Sequence, residues 1–456
     1  MEGLALATLV GAQALLFGRL VGTDTDYDEG VYLSSVDALE RGQELGRDVF
    51  APQPPVFYLL LRLISFGGAD TVRGFHIGMV VVAIVTCFFA YGLARALAGP
   101  LAGLAASALL TIAPPFPLFA HRVLADIPPL GLSLASLWLA TEARERRSPG
   151  LAAAAGAALA LAVATKPNAV LALPPFLLLL LWERSGRRRV LGGALAGATL
   201  VSGALLLVYR DVLDELWESV VAYHRDARDT PDVIDKTHEL VTFLNWRTPF
   251  AWLVVVGLAL SLLLIRRRGL EPVWALWLGA AISIAFLVYH HPLHYNHLLV
   301  LPVVLAVPAG VALGSALERL RHRELAVGAV ALVLVAGYVQ QQRRAALDDV
   351  PEQAELVRAA EILRQQTASE AVVASDQPIV PFLAGRVVAG PLVDLAFLRF
   401  ETGSLTDAEV LRVLEERGVQ AVVVGRALAQ RPALLAGIRQ RYRSVGVAGD
   451  VTVYAR

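Results

Sequence analysis

A single cysteine, Cys87, in 456 residues excludes an intramolecular disulfide, a CxxC redox pair and a thiolate metal cluster. Folding must therefore rest on burial alone. Net charge is also missing: 40 Lys and Arg offset 40 Asp and Glu, so the basic excess that draws a protein to nucleic acid is not there. No internal repeat is evident, and the last hundred residues carry no glycine-rich phosphate loop.

What the chain has instead is apolar sequence. Hydrophobic residues make up 56% and charged residues 18%, with a mean hydropathy of +0.59, which exceeds what a soluble core needs. The composition predicts a polytopic α-helical membrane protein. Segments of about 17 to 25 apolar residues can cross a bilayer, and about eleven approach that length. They are Leu4–Val21, Phe75–Leu97, Leu101–Phe119, Pro128–Thr141, Leu151–Thr165, Ala169–Trp182, Val190–Val208, Phe250–Ile265, Val273–Tyr289, Leu298–Leu317 and Leu325–Val339, the fourth to sixth being short. The first follows Met-Glu-Gly and precedes no small-residue cleavage site, so it reads as a retained helix and not a signal peptide.

Basic residues set the expected orientation, because short Lys- and Arg-rich loops stay cytoplasmic. Arg144, Arg146 and Arg147 follow the fourth span, Arg184 and Arg187–Arg189 the sixth, Arg266–Arg268 the eighth, and Arg319, Arg321 and Arg323 the tenth. Their alternation predicts a cytoplasmic N-terminus. The loops at 22–74 and 209–247, the turns at His121 and Lys166, the His290 cluster and the C-terminal region then lie outside.

The first external loop is acidic, with Asp24, Asp26, Asp28 and Glu29 in six residues beside a hydrophobic segment. Carboxylates are expensive in hydrocarbon, so this cluster belongs in a wet loop or cavity. Its DxDxD spacing resembles a calcium loop, but Glu29 stands where that loop needs glycine and Ser35 where it needs glutamate. Asp24 and Asp26 read as solvated. Asp28 has two roles open, as a chemical base or as the cap of a helix starting near Val31.

After Val339 the sequence turns polar, and residues 341–456 are expected to form a small extracytoplasmic α/β domain. Glu370–Ser375 and Val419–Gly425 read as buried strands. Between them, Thr406 and Glu409 form a capping box that opens a helix, and Gly418 ends it.

The order of motifs resembles the C superfamily of membrane glycosyltransferases (GT-C), in the branch that holds the protein O-mannosyltransferases and the aminoarabinose transferase of lipid A. The motifs are DEGVY at Asp28–Tyr32, PPVFYLLL from Pro54, HRVLADIPP from His121 and KPN from Lys166. They cover about the first 170 residues, and the later spans agree by topology. The resemblance implies residues 1–340 as a GT-C-like catalytic unit that moves a monosaccharide, hexosyl or pentosyl, from a polyprenyl-phosphate donor to a hydroxyl of a protein, lipid or glycan. Inversion at the anomeric carbon is expected, with no required cofactor.

On these residues the resemblance implies Asp28 as base, Glu29 as its neighbour in acceptor or fold organisation, and Asp126 as a second acid facing the same cavity. Tyr32 falls within the same acidic motif. Arg122 and Lys166 are candidates for the lipid phosphate. Gln53 stands where the aminoarabinose transferase has a lysine, so that contact is not ionic here. Plainer roles remain open: Asp126 as a helix cap, Arg122 as a headgroup partner, Lys166 as a snorkelling side chain.

The segment HHPLHYNH places His291, His294 and Tyr295 at the outer end of the ninth span, for hydrogen bonding to substrate or phosphate. A divalent metal is the less favoured use, since the segment has no carboxylate. Leu213, Leu216, Trp217, Val220 and Val221 form an amphipathic stripe suited to the membrane interface, and Val56–Leu63 is too short to cross. From other classes, a lipid-linked saccharide transporter would place its polar groups near the midplane, and a non-catalytic scaffold would bind glycan or protein through the external domain.

Overall fold

The computed structural model describes residues 2–22, 25–65, 71–181, 186–230, 248–264, 272–320, 322–345 and 352–456, with 235, 238, 240 and 242. Asp24, Arg184, Arg266–Arg268 and Arg321 lie outside the described residues.

Each of the eleven apolar segments falls on helix. Among the described residues, Val72–Ala98, Arg187–Val208, Pro272–Tyr289 and Tyr295–Leu317 are long and apolar enough to cross a bilayer, and six further apolar helices are shorter. The third segment breaks after Ile112, at Pro114 and Pro115, and resumes as Phe116–Phe119. Proline supplies no amide donor there, so the helical ladder cannot continue. The Arg187–Val208 helix leaves Leu195, Leu200, Leu206 and Leu207 exposed, a surface that water would penalise and lipid accepts. Its inner face packs on Pro149–Val163 at small residues: a Cβ on Gly156 would lie 1.9 Å from the Ala194 carbonyl oxygen. The chain is a multi-pass helical membrane protein.

The loop after the first apolar helix opens with the helix Tyr27–Glu40, capped by Asp26. It starts four residues before Val31, so Asp28 sits inside the first turn and Asp26 is the cap. The helix Pro55–Ser65 follows, burying Phe57, Tyr58 and Leu61 while exposing Leu59 and Leu63. That two-sidedness suits a helix lying at the interface. In the second long loop the expected stripe is interrupted, as Leu213–Trp217 passes through a π-turn at Glu218–Ala222. Leu216 is buried and Trp217 exposed.

The C-terminal segment forms five strands, β1 (Val372–Ser375), β2 (Val387–Val388), β3 (Ala421–Val424), β4 (Arg443–Ala448) and β5 (Val451–Ala455), in the order β2-β1-β3-β5-β4. The pairs β1–β2 and β1–β3 are parallel, whereas β3–β5 and β4–β5 are antiparallel. The Val-rich run of β3 is buried along its whole length, as a central strand requires. Asp407–Glu416 forms the expected helix with the Thr406–Glu409 box.

Alternation along the strands sends side chains to two different cores. Ala374, Val422, Val424 and Tyr454 pack with Val410, Leu414 and Ile438. Val373, Val423 and Val453 instead share a core with Val31, Leu33 and Val36 of the loop helix and with Phe57 and Leu61. The sheet and the loop that carries Tyr27–Glu40 are thus one packed body. Contact is close at Gly30, where a Cβ would sit 2.5 Å from the Ile379 backbone nitrogen.

Gly30→Ala weighs two opposed effects. Alanine favours a helix interior by about 1 kcal/mol, but overpacking against a backbone atom costs about 1–3 kcal/mol. Net destabilisation is expected, with faster amide exchange across residues 376–382. A variant as stable as the parent, with unchanged exchange there, would show that this contact does not hold the sheet to the loop.

Candidate functional site

The ends of the helices nearest the Tyr27–Glu40 helix gather the acidic residues into a small region. Asp26 and Glu29 close a reciprocal capping box: the Glu29 amide donates to Asp26 Oδ1 at 3.0 Å and the Asp26 amide to Glu29 Oε2 at 3.1 Å. Glu29 is fully buried, and its other oxygen, Oε1, accepts from the Val123 amide at 2.7 Å and from His76 Nε2 at 3.0 Å. His76 Nδ1 in turn accepts from the Gly22 amide at 3.0 Å, which fixes its proton on Nε2. One carboxylate thereby ties the loop helix to the exit of the first helix, the Val72–Ala98 helix and the His121 segment. Burial pushes its pKa up, but the hydrogen bonds from His76 and Val123 and the nearby Arg122 charge outweigh burial and leave it below the ordinary value.

Asp26 is not a freely solvated residue. It caps the helix and pairs with Arg122 Nη1 at 3.3 Å, and Arg122 also lies over the Phe119 ring at 5.2 Å. Burial and the Glu29 charge push Asp26 up to about 6, against the opposing Arg122.

Asp28 lies in the same turn, between Asp26 and Glu29. Its carboxyl is pushed up to about 8 by burial first, then by Asp26 and Asp394, with Lys166 pulling it down and Asp126 adding to the rise. Neighbouring carboxyls with opposite shifts commonly mark a division of roles.

A second constellation forms around Asp126. Lys166 Nζ donates to Asp126 Oδ1 at 2.6 Å and Asn296 Nδ2 to Oδ2 at 3.1 Å. Asp126 is 5% exposed and makes no capping bond to the helix it precedes, so its carboxylate is spent on these two partners. Lys166 is 12% exposed and turned inward, not snorkelling toward the interface.

The remaining predicted residues lie at the margins. Gln53 Nε2 donates to the Tyr32 hydroxyl at 3.1 Å, and both are buried. Tyr295 stacks on Phe119 with ring centroids 6.2 Å apart. The His294 amide donates to His297 Nδ1 at 3.3 Å, and His297 packs edge-on to His290 at 4.9 Å. His291 is exposed. Among the described residues no group of three His, Cys, Asp or Glu is placed to hold a metal ion.

Sequence reasoning missed His76, Asn296 and Asp394. Asn296 lies within the histidine-rich segment, where attention to imidazoles obscured the amide. Asp394 accepts from the Tyr27 hydroxyl at 2.9 Å, a pairing across 367 positions that no local pattern announces.

Behind Asp126 an apolar groove of about 70 Å³ runs between helices, lined by Leu130, Leu134, Ala172, Val300 and Val304 among others. Asp126, Ser133, Asn168, Ser283 and His297 are its polar members.

The profile of the dolichyl-phosphate-mannose-protein mannosyltransferase family matches residues 52–209. Among curated protein sequences none matches the chain. ArnT from Cupriavidus metallidurans, solved bound to undecaprenyl phosphate, superposes with a TM-score of 0.73 at 13% identity, over 99% of this chain and 97% of that one. The archaeal oligosaccharyltransferase AglB from Archaeoglobus fulgidus, solved with an inhibitory peptide and a dolichol-phosphate, gives a TM-score of 0.59 at 13% identity, over 92% of this chain and 69% of that one. The chain has the GT-C fold and resembles the ArnT and protein mannosyltransferase branch.

The raised Asp28 pKa makes a stability prediction independent of activity. A carboxyl whose folded pKa exceeds its unfolded value, about 3.9 for Asp, contributes stability that is full below that value and lost as pH rises through the folded pKa. The parent protein should therefore lose stability between about pH 4 and the folded pKa of about 8, and Asp28→Asn, which keeps the raised Asp26, should lose less, most clearly above about pH 6. Thermal melts across that range should show the two curves diverging as pH rises. Parallel curves would place Asp28 in a solvated setting.

Proposed function

We propose that this GT-C-fold membrane protein is an inverting glycosyltransferase that uses a polyprenyl-phosphate monosaccharide and acts on the extracytoplasmic face. The observation that carries this reading is the apolar groove that reaches the Lys166–Asp126 pair. A polyprenyl tail needs a long dry channel, and its phosphate needs a cation at the mouth of that channel. The family match over residues 52–209 and the likeness to ArnT support the same reading.

The chemistry follows from the groups present. The acceptor hydroxyl oxygen attacks the anomeric carbon as the bond from that carbon to the phosphate oxygen breaks. Asp28 takes the hydroxyl proton, and the electron pair of the broken bond leaves on the lipid phosphate. Lys166 meets the charge that develops there, oriented by Asp126 and Asn296. Arg122, held by Asp26, is the second cation at this face. One displacement inverts the anomeric centre. With cationic side chains meeting the leaving group, no resident metal or cofactor is required.

Residues 1–340 form the catalytic membrane unit in this reading, with about eleven crossings, and 341–456 the external α/β unit. Arg95, Arg144, Arg146 and Arg187–Arg189 occupy helix ends, which supports a reading with those ends in the cytoplasm and the carboxylates outside.

Asp28→Asn keeps side-chain size and removes the proton acceptor. Transfer from undecaprenyl-phosphate sugars should fall about 100- to 10,000-fold, with lipid-phosphate binding retained and turnover of the parent indifferent to a chelator. In the parent, kcat/KM should climb as pH rises toward about 8, a limb the variant lacks. Near-normal turnover by a folded Asp28→Asn protein would remove Asp28 from the base role and turn attention to Asp126.

A further inference from the structure

The strand order β2-β1-β3 places β1 between two parallel partners reached by crossovers on opposite faces. Ile379–Ala384 joins β1 to β2 on the face toward the external loop, while Asp407–Glu416 lies in the β2-to-β3 connection on the other face. Such a sheet has a switch point outside the carboxyl ends of its two central strands, where α/β proteins take their ligands. Asp376 and Gln377 follow β1, and Gly425 and Arg426 follow β3.

A crevice of about 300 Å³ opens there, and Asp376, Gln377, Arg426, Phe397 and Glu401 line it together with Tyr27. Its volume is at the lower end of the range of small-molecule sites. Asp376 is buried and holds the two lips together, accepting from the amides of Gly425 and, at 2.7 Å, Leu428. Gly425 keeps the crevice open, because a Cβ there would lie 2.7 Å from Gln377 Nε2. Among the described residues the Gln377 amide, the Arg426 guanidinium and the Glu401 carboxylate make no hydrogen bond or ion pair. Phe397 is 37% exposed. The lining is mainly apolar, and these three polar groups within it are uncommitted.

We propose that this crevice binds a saccharide as the acceptor of the transfer, an inference that rests on the glycosyltransferase reading above. A pyranose or furanose offers an apolar C–H face to an aromatic ring and hydroxyls that both donate and accept. Phe397 supplies the ring. The amide, carboxylate and guanidinium supply hydrogen bonds of both senses. An acyl chain would leave these three polar groups dry and unsatisfied, and an acidic ligand would meet Asp376 and Glu401. Tyr27, which lines the crevice, immediately precedes Asp28, and its hydroxyl is anchored on Asp394. A saccharide seated there extends toward the proposed base.

The test measures binding by the full-length protein in nanodiscs, with mannotetraose, arabinotetraose and a serine- and threonine-containing peptide as separate probes, and undecaprenyl phosphate as a control. At least one oligosaccharide should bind, Gln377→Ala and Phe397→Ala should each weaken it tenfold or more, and Phe397→Tyr should restore it. Binding of undecaprenyl phosphate should stay within twofold in all three. Failure of every oligosaccharide to bind the parent, equal binding by parent and alanine variants, or displacement of the sugar by the peptide overturns the saccharide assignment. Loss of undecaprenyl phosphate binding by the parent with oligosaccharide binding intact overturns the donor reading alone and leaves the crevice standing.

Discussion

Glu29 is a carboxylate shut away from water, and the face that carries the acidic cluster is built around satisfying it. A buried anion without partners would cost several kcal/mol, so the chain must bring His76, the Val123 amide and the Asp26 amide to it. Those donors come from separate segments, and meeting the demand of Glu29 fixes where the segments lie. Asp28 inherits its position from this arrangement, since it occupies the helical turn that Asp26 and Glu29 close. The two adjacent carboxyls then separate in character. Glu29 is held as an anion by its donors, while Asp28, pushed up to about 8 by burial and by Asp26 and Asp394, is the group able to take and hold a proton near neutrality.

The C-terminal sheet is a structural partner of that turn and not an appended module. It shares a core with Val31, Leu33 and Val36, touches Gly30 through the Ile379 backbone and fixes Tyr27 through Asp394. Removing the sheet would expose this shared core and free the helix carrying Asp28. Truncation is therefore a poor probe of what the sheet binds, and single substitutions in its crevice are the informative ones.

The local physics of the chain was readable in the sequence and its long-range pairings were not. Apolar runs located the helices, β-branched runs located β1 and β3, and the Thr406–Glu409 box located its helix because capping is decided within four residues. The same local logic misplaced the start of the first loop helix. Asp28 looked like a cap for Val31, but Asp26 already offers one, and Glu29 completes the box at the required spacing. The resemblance brought Asp126 and Lys166 into one list, and the structure joins them. Nothing in sequence spacing could show that Gln53 turns to Tyr32, that His76 meets Glu29, or that Asp394 reaches Tyr27. Those are decisions of tertiary packing, in which a buried polar group takes the partner that the fold brings near.

Charge balance links the two constellations. Asp26, Asp28, Glu29, Asp126 and Asp394 outnumber Arg122 and Lys166, so an additional anion enters a region already rich in negative charge. In the proposed transfer the acceptor proton moves to Asp28 as the departing phosphate gains charge, and the total in the region stays constant. Charge leaves the carboxylate cluster and appears beside Lys166, the one group whose field lowers the Asp28 pKa among its principal influences. A lysine held by Asp126 and a base raised by its neighbours therefore act on one coordinate: the field that makes Asp28 reluctant to ionise also makes it a stronger proton acceptor once the hydroxyl arrives.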